Sequence, residues 1–320
     1  MTGPDETSSN TRRRSRRAFI GTTGALGLAA IGGTSALAER SARLVAGGDY
    51  APAVRISPPP PFAPPGSYQP GALFVALYGH PGSRTLGALG EQGPDAAVRR
   101  AQAVADPYRF FGQPVIPTFE VIATVAAADA GGDGDYSNEF PDSKFEPWIS
   151  AAAASGIHIV LDLQSGRSRF PDQAREIAGL LAHPNVSLAL DPEWRVATGR
   201  PIGGRIGSVD ASEVNETIVI LDAIAREGDL PPKMLIVHQF TPSMITNKRA
   251  IRGTDRIQVV IHMDGFGSLA LKRGSYSRVV ADLPDGALLG WKNFYDEDRP
   301  TPTAAQTMAS TPRPMFVSYQ

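Results

Sequence analysis

Eight apolar, β-rich runs separated by stretches of helical period constrain this chain more than any other feature. They are ALFVALYGH (72–80), TFEVIATVA (118–126), IHIVLDLQ (157–164), VSLALDPEW (186–194), KMLIVHQF (233–240), IQVVIHMDGFG (257–267), ALLGWKNFY (287–295) and PMFVSYQ (314–320). Most are near-continuous rather than alternating, the pattern of strands covered on both faces, as in a parallel sheet flanked by helices. Between them lie GPDAAVRRAQAVADPYRF, FEPWISAAAASG, FPDQAREIAGLLAHP, DASEVNETIVILDAIAREG and PSMITNKRAIRG, each read as a helix. Asp210 opens the fourth in a capping-box arrangement with Glu213, and Gly228 closes it. Eight strands alternating with helices over roughly 250 residues predict an α/β fold of the (β/α)8 TIM-barrel type, with an open doubly wound sheet as the alternative. The sequence ends with the eighth run, so the predicted barrel lacks its final helix. The proline-rich stretch before Ala72 is read as a surface arm able to cover that gap. No G-x-G-x-x-G joins a strand to a helix and no G-x-x-x-x-G-K-[ST] occurs, which removes the usual nucleotide-binding marks.

Composition narrows the function classes. With 31 Lys and Arg against 32 Asp and Glu, the net charge is −1, and no basic block follows the amino terminus, so nucleic acid is excluded as a partner. Cysteine is absent, which removes disulfides, thiolate nucleophiles, iron–sulfur clusters and thiolate zinc sites. The start, TRRRSRRAFIGTTGALGLAAIGGTSALAER, has the basic, weakly apolar and small-residue order of an export signal. Ser15-Arg16-Arg17-Ala18-Phe19-Ile20 matches the twin-arginine pattern. The expected organisation is therefore a signal over 1–38, a Pro-rich linker or arm over 39–71 and the barrel over 72–320. The membrane is touched only during export, and the destination is the extracytoplasmic envelope or the medium. Oligomeric state leaves no mark in the sequence.

In a parallel barrel, chemistry gathers at the carboxyl ends of the strands. Those ends carry Tyr78 and His80, Glu120 and Thr124, Asp162 and Gln164, Asp191 and Glu193 with Trp194, His238 and Gln239, His262 and Asp264, Lys292 with Asn293 and Tyr295, and Tyr319. A single acid there can be a helix cap, and a single histidine can bond a backbone carbonyl. Carboxylates arriving from separate strands at one mouth are harder to explain as caps. Residues i and i+2 of a strand share a face, which points Asp191 and Glu193 into the mouth together. Two carboxylates so close in a partly dry site repel, and the more buried one keeps its proton. A protonated acid beside an ionised one is what cleavage of a glycosidic bond needs.

An Asp-x-Glu at the end of the fourth strand resembles the acid-bearing strand of chitinase-type and muramidase-type glycoside hydrolases. That resemblance implies a barrel fold, a carbohydrate substrate, Glu193 as proton donor and Asp191 as its support. The chain departs from the family pattern in VSLALDPE, where Ser187 and Ala189 replace upstream acids, and in Lys292-Asn293, where retaining relatives place a Glu nucleophile. Asp162 or Asp264 is then the second catalytic carboxylate. Tyr78, His80, Glu120, Gln164, Trp194, His238, Gln239, Lys292, Asn293 and Tyr295 are the expected substrate contacts, with Trp291 a further aromatic at the mouth.

The leading expectation is thus an exported glycoside hydrolase acting on a cell-envelope or environmental polysaccharide, with no cofactor and no metal ligands assigned. Two alternatives accompany it: a metal-dependent hydrolase or phosphodiesterase using His80, His238 and His262 with the acids, and a non-catalytic carbohydrate-binding envelope protein. The loop DAGGDGDYSNEF, with Asp129, Asp133, Asp135 and Glu139, has the composition of a calcium site without EF-hand spacing, and reads equally as a cleft wall.

Overall fold

The computed structural model describes residues 64–197 and 205–320. The expected signal over 1–38 and most of the arm lie outside the described residues. Eight parallel strands close into a barrel: β1 (Leu73–Gly79), β2 (Val115–Ala126), β3 (His158–Leu163), β4 (Val186–Leu190), β5 (Lys233–Gln239), β6 (Ile257–Met263), β7 (Leu288–Asn293) and β8 (Phe316–Tyr319). Each pairs with the next, and β1 pairs with both β2 and β8, which completes the ring. This is the (β/α)8 architecture, not an open sheet.

Pleating sorts the strand residues into two sets. Leu77, Phe119, Leu161, Leu188, Val237, Ile261 and Trp291 face outward into a continuous apolar layer under the helices. Burying one such side chain completely contributes about 1.5–3 kcal/mol, so this layer supplies most of the driving force. The helices are α1 (Pro94–Ala105), α2 (Glu146–Ala154), α3 (Phe170–Glu176), α4 (Ala178–Leu181), α5 (Ala211–Glu227), α6 (Leu269–Val280) and α7 (Ala304–Met308). Asp210, Ser268 and Thr303 accept backbone N–H groups at the starts of α5, α6 and α7. Glu213 does not close the expected capping box. It instead bonds Arg195 and the Phe170 N–H.

The segment between β5 and β6 corrects the sequence reading. PSMITNKRAIRG forms two short 3-10 turns around a two-residue strand, Ile245–Thr246. Asn247 sits in the left-handed region with φ 52°, and its side chain and that of Thr246 both bond Asp210. A β-branched residue followed by a left-handed one cannot continue a helix. The helix predicted after β3 is likewise broken, at Ile177, into α3 and α4.

Inward-facing residues fill the lumen in tiers. The lower tiers, Phe74, Ala76, Ile116, Val160, Ala189, Met234, Ile236, Val260 and Phe316, are apolar. Of residues 64–71, Gly66, Ser67 and Tyr68 are buried and the other five are exposed. Tyr68 stacks on Phe74 at 5.6 Å and joins this lumen cluster, and Gly66 presses against the Ile157 carbonyl that precedes β3. They close the barrel floor. With φ at +80° and a Cβ that would lie 2.4 Å from Ile157 O, position 66 admits only glycine.

His158 belongs to this floor. A carbonyl can only accept, so Nδ1 donates to Gly66 O (2.7 Å); Nε2 then accepts from Ser187 Oγ (2.8 Å), which itself accepts the Met234 N–H. The ring is satisfied while neutral, and burial pushes its pKa down to about 3. Below the ordinary histidine value of 6.5 the unfolded chain takes up a proton that the folded one refuses. The residue's contribution to stability is therefore present above that pH and lost below it, at about 1.4 kcal/mol per pH unit. Urea unfolding of the natural protein and of His158→Gln, at pH 7 and pH 4.5, should show the gap between them shrink by about 2 kcal/mol in acid. An unchanged gap would mean that the ring is charged in the fold.

Candidate active site

The upper tier of the lumen is polar. Tyr78 (β1), Glu120 (β2), Asp162 (β3), His238 (β5), His262 (β6), Lys292 (β7) and Ser318 (β8) all continue the inward series, and Asp191, Glu193 and Asp264 follow the ends of β4 and β6. All of them are buried.

His238 sits at the hub. Its Nε2 lies 2.9 Å from Glu120 Oε1 and 3.9 Å from Asp162 Oδ1, and its Nδ1 lies 3.2 Å from Asp264 Oδ2. Carboxylates accept, so both ring nitrogens donate only if the ring is an imidazolium. Burial opposes that charge, yet Asp162, Glu120 and the bonds to Asp264 and Glu120 raise the pKa well above the ordinary histidine value. Burial likewise works to raise Glu120, but the charge and hydrogen bond of His238, with His262 and Lys292 nearby, hold it down at about 2.

Asp162 accepts the Tyr78 O–H at 2.8 Å, and Lys292 Nζ lies 3.3 Å from the centre of the Tyr78 ring, a cation–π contact inside the barrel. Burial and the Glu120 charge raise the Asp162 pKa, against the pull of His238, Lys292 and the Tyr78 bond. Tyr78 is pushed well above 10 by burial and by the surrounding acids, so its phenol keeps the proton it donates. His262 Nε2 pairs with Ser318 Oγ at 3.0 Å, and burial brings its pKa down to about 3, leaving a neutral ring. A Cβ at Gly290 would fall 2.3 Å from His262 Nδ1, which explains a glycine in the middle of β7.

The opening pair of acids meets by a different route from the one the pleat suggested. Strand β4 ends at Leu190, and Pro192–Trp194 form a 3-10 turn with Asp191 as its cap: the Asp191 side chain accepts the Glu193 N–H at 3.3 Å. Pro192 has no N–H to continue a ladder and fixes φ for the turn. One carboxylate oxygen from each of Asp191, Glu193 and Asp264 lies within 4.8 Å of the other two. Burial, reinforced by repulsion from Asp162, Glu193 and Asp264 and only partly offset by His238, drives the Asp191 pKa well above the carboxylate range. Burial and crowding therefore favour the protonated form of Asp191.

Other expected contacts lie elsewhere. Gln239 and Asn293 directly follow the inward His238 and Lys292 and so point outward. Gln239 accepts from Lys248 Nζ at 3.0 Å, and Asn293 accepts the Trp291 indole N–H at 2.8 Å and donates to Thr307. Neither they nor Trp291 can touch a ligand in the lumen. Thr124 points away as well, donating to Gln173. Gln164 braces the upper tier, accepting the Ala126 N–H and standing 3.5 Å from the Tyr78 hydroxyl. His80 donates to the Ile122 carbonyl and packs on Phe140, and burial lowers its pKa. Of the three histidines of the metal alternative, His238 and His262 are neighbours with ring centres 5.0 Å apart, while His80 bonds the Ile122 carbonyl; among the described residues none of them joins the acids in a group whose ligand atoms could share an ion. Trp194 is half-buried in the 3-10 turn, and Tyr295 is exposed at the rim beyond β7. Ser318, which fixes His262, escaped the sequence reading, although its inward parity in the eighth run marked it. In the 129–139 loop, Asp135 bonds Ser137 N and Ser168 Oγ while Glu139 bonds Gln173, so these acids brace the loop.

No family model and no curated protein matches the chain. Among solved structures it is similar to Cellulase Cel5C_n, with a TM-score of 0.39 and 13% sequence identity. The match covers 70% of this chain and 65% of that one, so the chain covers less than two thirds of that protein.

Proposed function

We propose that this chain is a glycoside hydrolase that cleaves a polysaccharide of the cell envelope or the surroundings, and that it is exported by the twin-arginine route. The carrying observation is the Asp191–Glu193–Asp264 group, with oxygens within 4.8 Å. Burial and crowding favour the protonated form of Asp191, while Asp264 lies 3.2 Å from His238. Carboxyls in such unlike surroundings are what protonating a glycosidic oxygen, while stabilising an oxocarbenium-like ring, requires. Glu193, at 4% exposure against 1% for Asp191, is nearest the solvent; it takes up a proton from there, gives it to the leaving oxygen and is left as the carboxylate. Asp191 supports it from below, and Asp264 faces the reacting sugar carbon. A spacing this short leaves no room for the intervening water of inverting enzymes, whose carboxyls stand about 6.5–9.5 Å apart, and so favours retention. Export rests on Ser15-Arg16-Arg17-Ala18-Phe19-Ile20 within a basic-then-apolar leader. Among the described residues no helix is long and apolar enough to cross a membrane.

The same three oxygens favour one competing reading, a divalent ion seated on them as hard ligands. A panel of envelope and plant glycans, assayed for released reducing ends with and without chelator, separates the two. The proposal expects release that survives chelation, with the first-formed anomer keeping the substrate's configuration. Release from no glycan overturns it. A stoichiometric divalent ion that survives dialysis and is needed for turnover reassigns the cluster to metal chemistry.

A further inference from the structure

At the same carboxyl end of the barrel as the acids, a cleft of about 140 Å³ opens to solvent between the loop after β1 and the turn after β7. Its walls include Arg84, Glu91, Arg100, Tyr295, Asp296 and Glu297, none of them part of the acid group. Tyr295 is 40% exposed and forms the end of a rigid aromatic tier. It stacks on Tyr319 at 5.6 Å, and Tyr319 shares a 2.6 Å hydrogen bond with Tyr108 under the rim. Its backbone N–H is fixed by Gln320 O at 2.9 Å. Arg100 lies 5.6 Å from the Tyr295 ring centre and is held in place by Glu91 and Gln92. Arg84, Asp296 and Glu297 have no ion-pair partner among the described residues and stand ready to bond a ligand.

The charges along this wall come from two arginines and three carboxylates, close to balance, so neither a polyanion nor a polycation is selected. The chemistry is a fixed aromatic ring beside arginine donors and carboxylate acceptors. A sugar offers apolar C–H faces to the first, and adjacent hydroxyls, which both donate and accept, to the second. We infer that this cleft is a subsite for an uncharged oligosaccharide, binding sugar units that flank the scissile bond. The site then acts within a chain, and substrate length matters to it. This inference rests on the glycosidase reading and specifies its substrate class.

The test uses Tyr295→Ala and Arg84→Ala, with Tyr295→Phe as the variant that keeps the ring. The probes are tri- and hexasaccharides of β-1,4-linked glucose, mannose and N-acetylglucosamine, with a hexamer of galacturonate as the charged comparison. Binding is measured by calorimetry and cleavage by product analysis. The expected result is that at least one neutral hexamer binds the natural protein more tightly than its trimer and than the galacturonate hexamer. Tyr295→Ala should weaken hexamer binding about tenfold, a difference of about 1.4 kcal/mol, with trimer binding changed less than about twofold and Tyr295→Phe close to the natural protein. Equal losses on trimer and hexamer, no loss at all, preference for the charged hexamer, or binding of no neutral hexamer overturns the subsite. Hexamer binding that depends on Tyr295 without cleavage of any glycan keeps the subsite and overturns the hydrolase.

Discussion

Replacing Glu193 by Gln should lower turnover by about 10²–10⁴-fold while substrate affinity stays within a few-fold of the natural protein. The amide has the shape of the acid and can fill the same place above the Asp191 cap, but it has no proton to give. A loss confined to kcat is the signature of a group that acts in the transition state and not in ground-state binding. Substrates whose leaving group needs no proton should recover most of the rate, a result that poor folding or poor binding could not imitate. Turnover within about threefold of the natural protein would move the donor's role away from Glu193, and Asp191, whose protonated form burial favours, would be tested next.

The second large effect concerns stability. His238 is the imidazolium to which Glu120 and Asp264 both bond, with Asp162 3.9 Å away. Replacing it with leucine leaves those carboxyls facing one another in a dry lumen. Stranding buried charge in this way costs about 3–5 kcal/mol, a large share of the 5–15 kcal/mol that holds a typical domain together. His238→Leu should unfold at markedly lower urea or fail to accumulate, and adding Glu120→Gln should restore part of the loss by removing one stranded charge. The sign with pH follows from the raised pKa. The stabilisation from the charged ring is complete below 6.5, where the unfolded histidine is also protonated, and declines as pH climbs towards the folded value. The gap between the natural protein and the variant should therefore narrow from pH 6.5 to 8.5. A gap below about 1 kcal/mol at pH 6 would contradict a charged hub, since losing one partner of a buried pair costs more than that.

The barrel was legible because its strands are buried on both faces, and eight apolar runs of the right spacing admit few other closures. The strand bounds found, such as 158–163 within the expected 157–164 and 233–239 within 233–240, differ only at the ends. What failed was local. The segment after β5 had helical composition, but hydrogen bonds from Thr246 and Asn247 to the distant Asp210 decide its path. No window of sequence shows that partner.

For the site, the acids do lie at the carboxyl ends of their strands, while their neighbours were read without regard to the pleat. His238 and Gln239, or Lys292 and Asn293, are consecutive in a strand, and only one of each pair can face the lumen. Strand parity, applied strictly, would have removed Gln239 and Asn293 and added Ser318. Asp191 and Glu193 do meet, but through a capping turn set by Pro192, so the i, i+2 argument reached a correct proximity by the wrong geometry. The bonding of one histidine to acids from β2 and the end of β6 depends on the whole ring having closed, and no spacing along the chain encodes it.

The floor formed by residues 64–71 has a practical outcome. The polypeptide enters the barrel at the end opposite its chemistry, with Tyr68 seated against Phe74 and Gly66 against Ile157. A bead or fusion partner joined directly at residue 64 would sit on the side of the barrel away from the opening that carries the acids. Trimming into that floor, by contrast, would let water into the lumen from beneath.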